Sequence, residues 1–399
     1  MREGGGCLAG LRVVDLTRVL SGPFCTQWLA DHGAEVIKVE PPGGDETRRW
    51  GPPFAADGAA SYFVGVNRNK RDIALDLARP EGREVLLRLL ETADVLVENF
   101  KTGTMERWGL GYEEVLAGRF PRLVYCRISG FGDDGPLGGL PGYDAIAQAM
   151  AGPMSVNGDP RTGPLRVGIP IVDLATGLAA TVAVLMALVE RARSGRGQKV
   201  ETTLWDVAVA LLHPHAANWF LSGETPALLG NAHPNIGLYD KFPTATCEIF
   251  VACGTDRQFR LLVEHLGHPE LAEDPRFVTN AARLAHRDEL RRTLEPLLRI
   301  RDGRRLAEEL LRLGVPVGPV LGLPEVLEHP HTRHRGMVAE LDGYRGTGIP
   351  LKFGRTPGRV RRPPPRLGAD ARAILAELGY GTAEIDRLLA EGVVVGSSG

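Results

Sequence analysis

Three short stretches of this chain hold residue types that could do chemistry. In "VGIPIVDLATG" a single carboxylate, Asp173, stands between an apolar strand-like run and a long apolar helix-like run. Two readings fit it. As a helix N-cap it would meet free N–H groups and the positive end of the macrodipole, which favours its anion. As a nucleophile it could accept an acyl group and split one hard step into two easier ones. The small residues around it would leave it approachable. Asp144, in "GLPGYDAIAQAMAG", also opens a helix-like stretch after a glycine-rich loop, and the N-cap reading applies to it too. The two carboxylates could share acid–base work if the fold brought them into one cleft. In "DLTRVLSGPF", Arg18 and Ser21 precede a helix start at Gly22–Pro23. An exposed helix N-terminus beside an arginine suits a phosphate or diphosphate. A plain cap with a surface arginine fits the same spacing.

Other chemistries find no pattern. The histidine runs His213/His215 and His329/His331/His334 are broken by proline, and no HExxH or paired-cysteine spacing supports a metal site. There is no GxSxG elbow, no P-loop, and no GxGxxG in the first strand-to-helix turn. The five cysteines, Cys7, Cys25, Cys126, Cys247 and Cys253, include no CxxC and read as small core hydrophobes. Their odd number argues for a reducing, cytoplasmic setting.

The elements that must position these residues read as an α/β protein. "LRVVDLT", "AEVIKVE", "RDIALDL", "DVLVENF" and "RLVYCRIS" are β-branched, apolar strand signals. Helix signals alternate with them, among them "GPFCTQWLADHG", with proline in its first turn and glycine as its stop, and "PEGREVLLRLLETA". Repeated βαβ units imply a mostly parallel sheet with helices on both faces, and ligands at the carboxyl ends of its strands. "VGIPIV" reads as a buried strand or an extended segment, followed by a helix over 174–193. The loops 41–62 and "SGFGDDGPLGGLPGYD" are long enough to be functional.

The 399 residues allow two or three domains. Residues 1–210 and 335–396 are expected to form a large domain, 226–325 a smaller α+β domain, and 211–225 and 326–334 the linkers. The net charge of −2 is spread evenly, so neither nucleic acid nor a charged membrane is implied. Arg355, Arg359, Arg361 and Arg362 could meet phosphates, but a solvated surface is the plainer reading. The N-terminal "MREGGGCLAG" has no apolar core of a signal peptide. Leu174–Val189, the longest apolar run, is shorter than the ~20 residues of a membrane span. The final "GSSG" is read as a flexible tail.

Together these stretches resemble the class III coenzyme A-transferases, the family of formyl-CoA transferase and the carnitine and bile-acid CoA-transferases. The marks are Gly33–Glu40, "NKRDIALDL" at 69–77, "ADVLVENF" at 93–100, "GYDAIAQAMAG" at 142–152, "DLATG" at 173–177 and "SGRGQKV" at 194–200. The resemblance runs along nearly the whole chain. It implies a Rossmann-like large domain built from both chain ends, a smaller domain between, and an interlocked homodimer. It implies CoA transfer from an acyl-CoA, with succinyl-CoA a candidate donor, to a free carboxylic acid, with CoA as substrate and product and no metal.

By the same resemblance Asp173 matches the family's catalytic aspartate, which passes through an acyl–aspartyl anhydride and an aspartyl-CoA thioester. Tyr143 and Asp144 match a pair beside it, tyrosine and glutamate in formyl-CoA transferase. CoA binding maps onto Arg18, Val19, Leu20, Ser21, Leu75, Asn99, Phe100 and Arg107. Formyl-CoA transferase has glutamine where this chain has Leu20, so a role for that side chain does not carry over. Its glycine-rich covering loop has no match here; "GNAHPNIGLYDKFPT" stands instead, a version that looks like that of members using larger acids. Asn231, His233 and Tyr239 are candidate substrate contacts there. Two alternatives are carried forward. An α-methylacyl-CoA racemase would need a histidine base where this chain has Tyr143, and a phenol with pKa near 10 is a poor base at neutral pH. A non-catalytic CoA-binding protein would show neither proton exchange nor acylation.

Overall fold

The computed structural model describes residues 5–396. Residues 1–4 and 397–399, which hold the start of the N-terminal run and most of the "GSSG" tail, lie outside the described residues. The chain divides into two units: residues 1–151, 168–211 and 330–399 form the first, and residues 152–167 and 212–329 the second.

In the first unit six strands run parallel: β1 (Arg12–Asp15), β2 (Glu35–Glu40), β3 (Lys70–Leu75), β4 (Val95–Glu98), β5 (Val124–Ser129) and β6 (Lys199–Thr203). Their spatial order is β3-β2-β1-β4-β5-β6, and the short strand Val394–Val395 pairs antiparallel outside β3. The central strands carry apolar side chains toward both faces because both faces are covered, while buried charges such as Lys38, Lys70 and Glu98 lie near the strand ends or face partners. On one face Val13, Val36, Val95, Val97 and Val124 pack with Ala180, Val184 and Ala187. On the other, Val14, Ile37, Ile73 and Leu96 pack with Val85, Leu86 and Leu89, and with Ile374 and Leu388 from the C-terminal part. Each such side chain contributes roughly 1.5–3 kcal/mol by leaving water.

Five helices matter for the site: α1 (Ser21–Asp31), α2 (Pro80–Leu90), α3 (Asp144–Met150), α4 (Ile171–Ser194) and α5 (Leu204–Ala210). The strand order reverses between β1 and β4, and the crevice past the carboxyl ends of those two strands is where open α/β sheets bind ligands. The turn after β1 and the segment after β4 form that crevice here.

Two expectations fail. Asp173 does not cap its helix: of the two readings of "VGIPIV" the strand does not form, proline at 170 has no N–H for a ladder, and α4 already begins at Ile171. Asp173 is therefore the third helical residue and not the N-cap. Residues 152–167 also leave the large unit; they carry the hairpin Gly158–Asp159/Gly163–Pro164, and Gly230 N–H donates to Gly158 O at 2.7 Å within the second unit. At 24 residues α4 is longer than the apolar run suggested, and it is long and apolar enough to cross a membrane by length and composition. Its buried face nonetheless belongs to the sheet core.

The second unit has a three-stranded antiparallel sheet, Leu238–Pro243, Glu248–Cys253 and Val317–Pro319. Amphipathic helices Asp256–Leu266, Arg287–Arg299 and Gly303–Arg312 cover it through Phe259, Leu290, Leu294, Leu298 and Leu310. The arginines near the C-terminus serve the fold: Arg361 donates to Ala30 O at 2.6 Å and Arg362 pairs with Asp370 at 2.8 Å.

Candidate active site

The turn from β1 into α1 is built on buried charge. Asp15, at the end of β1, is fully buried and takes hydrogen bonds from Thr17, Thr26 and Lys70, the last at 3.0 Å. Burial alone would raise its carboxyl, but Lys70 and Lys38 hold it below the usual carboxylate range. Lys38, from the middle of β2, donates to Thr17 O at 2.8 Å and pairs with Asp45 at 3.3 Å. Asn99 takes the Arg18 N–H at 2.8 Å and donates back to the Arg18 carbonyl at 2.7 Å. Asp45 takes the N–H of Val19 at 3.3 Å.

Val19 itself has φ of 68°, a left-handed conformation that is rare for a β-branched residue. Strain of this kind costs about 1–3 kcal/mol and persists only where the surroundings over-determine it; here Asn99, Asp45 and Lys38 do so. The consequence is that the amides just ahead of the helix are already taken. The strand order is Rossmann-like, yet the N–H groups of Arg18 and Val19 point at Asn99 and Asp45 and not at a ligand.

What the turn does is aim α1. Gly22 fits only as glycine, since a Cβ there would lie 2.3 Å from the Thr17 Cβ. Farther on, α1 crosses α4 at Gly177, where a Cβ would lie 2.6 Å from the Ser21 carbonyl. This close approach puts Ser21, the first residue of α1, against Asp173 in the first turn of α4. The Ser21 hydroxyl donates to Asp173 Oδ1. Asp173 Oδ2 accepts no hydrogen bond among the described residues, and Asp173 lines the cleft.

Asp144 is not the cap of its own helix either. It is the first residue of α3, and its Oδ1 accepts from the N–H groups of Val172 (2.8 Å) and Asp173 (3.2 Å), while Oδ2 accepts from Gln148 at 2.7 Å. It thus satisfies the free donors at the start of α4 from a different helix. The two carboxylates do meet, as neighbours along one backbone segment.

Electrostatically, Asp173 reverses the sequence expectation. Burial raises its carboxyl to about 6, Ser21 works against that rise, and the charge on Asp144 adds to it. Tyr62, from the short helix Ser61–Val64 before β3, is half-buried, and its phenol is pushed up to about 12 by burial and then by the charges of Asp173, Asp144 and Asp45.

A cleft of about 200 Å³ opens on this carboxylate. That is below the roughly 300–1,000 Å³ of a pocket that swallows a whole ligand, so it suits the reactive end of a long one. Of the expected site residues, Arg18, Val19, Leu20, Ser21, Asn99, Phe100, Tyr143 and Asp173 line it. Arg18 lies over the Phe100 ring at 5.7 Å, and its Nε is buried without an acceptor. Asp144 stands behind the wall. Leu75 and Arg107 are not brought in: Leu75 is buried in the sheet core beside Val394, and Arg107 donates to Thr104 at 2.8 Å. Asn231, His233 and Tyr239 belong to the second unit; the rings of His233 and Tyr239 lie 5.3 Å apart, and Asn231 sits in an exposed turn. No three His, Cys, Asp or Glu side chains form a metal-holding group among the described residues.

Comparison with known proteins decides the family. Residues 8–371 match CoA-transferase family III. The chain belongs to that family. The succinate–glutarate CoA-transferase of Agrobacterium fabrum is 43% identical over 382 residues, covering 93% of this chain and 95% of that one. The acetyl-CoA:oxalate CoA-transferase of Acetobacter aceti is 40% identical over 93% of this chain and 96% of that one. The crystal structure of a CAIB/BAIF family protein from Brucella suis superposes with a TM-score of 0.84 at 42% identity, covering 94% of this chain and all of that one. This chain is a CoA-transferase, with CoA thioesters as its substrates. The racemase and binding-protein alternatives are set aside; no histidine lines the cleft among the described residues.

Sequence reading missed Lys38, Lys70 and Asp45, which shape the turn, Lys101, Thr102 and Ser129, which line the cleft, and Tyr62, which feels the charge of Asp173. For Lys38 a signal existed. A lysine between the apolar residues Ile37 and Val39 of a strand buried on both faces must have a buried partner. Ser21 was expected at CoA; it is found on Asp173.

Proposed function

We propose that this CoA-transferase works through covalent catalysis on Asp173, moving CoA from an acyl-CoA to a dicarboxylic acid. The observation that carries the reading is the asymmetry of Asp173: one oxygen is held by Ser21, the other accepts no hydrogen bond among the described residues, and the residue lines the cleft at the sheet's topological switch point. Oδ2 attacks the thioester carbonyl, the C–S bond breaks, and CoA leaves as thiolate. The thiolate then adds to Asp173 Cγ and expels the donor acid, leaving an aspartyl-CoA thioester. The acceptor carboxylate reverses these steps. The thioester's free energy is kept in covalent intermediates, and water must be kept away from both.

Arg18, with its unsatisfied Nε, and Lys101 on the same wall supply positive charge for CoA's phosphates. A dicarboxylate acceptor, with succinyl-CoA as donor, is favoured because the relatives above are named for succinate and glutarate and for oxalate. His233 and Tyr239 remain the candidate contacts for that acid. Homodimerisation, interlocked as in the family resemblance, is supported by Leu178, Val182, Met186 and Val189, an exposed apolar stripe along α4. The cytoplasmic setting rests on the five free cysteines.

The test is incubation with succinyl-CoA alone, followed by hydroxylamine trapping and peptide mass analysis. A hydroxamate on Asp173, absent from Asp173→Ala, is expected. Transfer at near-native rate by Asp173→Ala would overturn the mechanism.

A further inference from the structure

Ser21 sits where a CoA contact was expected, yet its hydroxyl is directed elsewhere. Ser21 is buried at 5% exposure, and Gly177 lets its backbone approach α4. Its O–H donates to Asp173 Oδ1, and no second acceptor competes for that proton among the described residues. We propose that Ser21 is a catalytic residue: its hydroxyl is the oxyanion donor for the steps in which sulfur or a carboxylate adds to Asp173 Cγ.

The inference rests on the covalent reading above and deepens it. In the first step Oδ2 donates a lone pair to the acyl carbon, and the C–S pair leaves with sulfur; Oδ1 becomes the anhydride's carbonyl oxygen, still holding the Ser21 proton by a hydrogen bond. When the thiolate adds to Cγ, the Cγ–Oδ1 π pair moves onto Oδ1. The negative charge therefore develops on the atom that Ser21 already contacts. Collapse re-forms the carbonyl and breaks Cγ–Oδ2, and that oxygen leaves with the donor acid. Ser21 keeps its proton throughout, so the step balances without another acid or base. A donor fixed in a buried site ahead of the charge costs no reorganisation when the charge appears, and removing one such donor costs about 10²–10³ in kcat.

A second consequence concerns the resting enzyme. The same hydrogen bond favours the carboxylate over the acid, opposing the burial that raises Asp173. Its loss should move the acidic limb of the rate profile to higher pH.

The experiment compares Ser21→Ala and Ser21→Thr with the native enzyme, using succinyl-CoA and glutarate. For Ser21→Ala, kcat should fall about 100-fold with KM for succinyl-CoA within about threefold. The acid limb should shift upward, and rapid-quench mass analysis should show the acyl adduct on Asp173 building up ahead of the CoA adduct. Ser21→Thr, which keeps the hydroxyl, should restore kcat to within about tenfold. Should Ser21→Ala not fold, Ser21→Cys, similar in size with a weak donor, should show the same loss. A variant lacking the hydroxyl that keeps native kcat and adduct kinetics, or loses only affinity for succinyl-CoA, refutes the assignment. Absence of any Asp173 adduct in the native enzyme refutes the covalent reading instead.

Discussion

Replacing Asp173 by asparagine should abolish transfer and, at neutral pH, make the protein more stable. The wild-type carboxyl is raised from its usual 3.8 to about 6 by burial, with Asp144 adding to the rise. Ionising it therefore costs the folded protein more than the unfolded chain. At roughly 1.4 kcal/mol per pH unit the gap between those values amounts to about 3 kcal/mol. Asparagine keeps the shape, and its Oδ1 can still accept from Ser21, but it carries no charge to desolvate. The sign follows from the raised folded pKa. Below about pH 4 wild type is neutral in both states and the two proteins should match. Between about 4 and 6 the variant gains, and above about 6 its advantage is complete. In a molecule of this size 3 kcal/mol corresponds to a rise of roughly 3–6 °C in Tm. Calorimetric melts of both proteins from pH 4 to 8 measure it. A variant less stable than wild type at pH 7.5, or a difference that does not change with pH, would refute the argument that Asp173 is held at a cost to the fold.

Three further outcomes follow from the same geometry. Because Asp173 must be ionised to attack, kcat/KM should rise through about pH 6 on the acid side, and Asp144→Asn, which removes a neighbouring negative charge, should move that midpoint down in a pH–rate profile. Gly177→Ala should cost about 1–3 kcal/mol in a denaturant melt and lower kcat, because its Cβ would fall 2.6 Å from the Ser21 carbonyl and push α1 away from Asp173. Lys70→Met should cost about 3–5 kcal/mol by leaving Asp15 buried without its partner; adding Asp15→Asn should recover part of that loss, as paired melts of the single and double variants would show.

Why α1 and α4 can meet at all is a matter of small residues. Ser21 and Asp173 are separated by 152 positions, and nothing in the spacing of either stretch points to the other. Gly177 lets the two backbones approach, Gly22 lets α1 start against Thr17, and the buried ion pairs under the turn fix its direction. A catalytic carboxylate held at a raised pKa is then the sum of packing, which excludes water, and one hydroxyl, which limits the rise.

Much of this was written along the chain. The alternation of β-branched strands with amphipathic helices such as Pro80–Leu90 required a parallel sheet, because period-two and period-3.6 apolar patterns bury their faces only in that layered way. The proline and glycine punctuation of α1, the six stretches and the carboxylate in "DLATG" carried the family and pointed to Asp173 as the proposed nucleophile. Three-dimensional contact decided the rest. Whether Asp144 capped its own helix or another, whether the Arg18–Val19 amides faced a phosphate or Asp45, and whether Asp173 was eased by a helix dipole or penalised by burial all depend on groups distant in sequence. Local pattern reports the backbone's periodicity and its exposure on average. Hydrogen-bond partners, desolvation and the φ of Val19 are set by what packs against a residue, and that is known only once the chain has closed on itself.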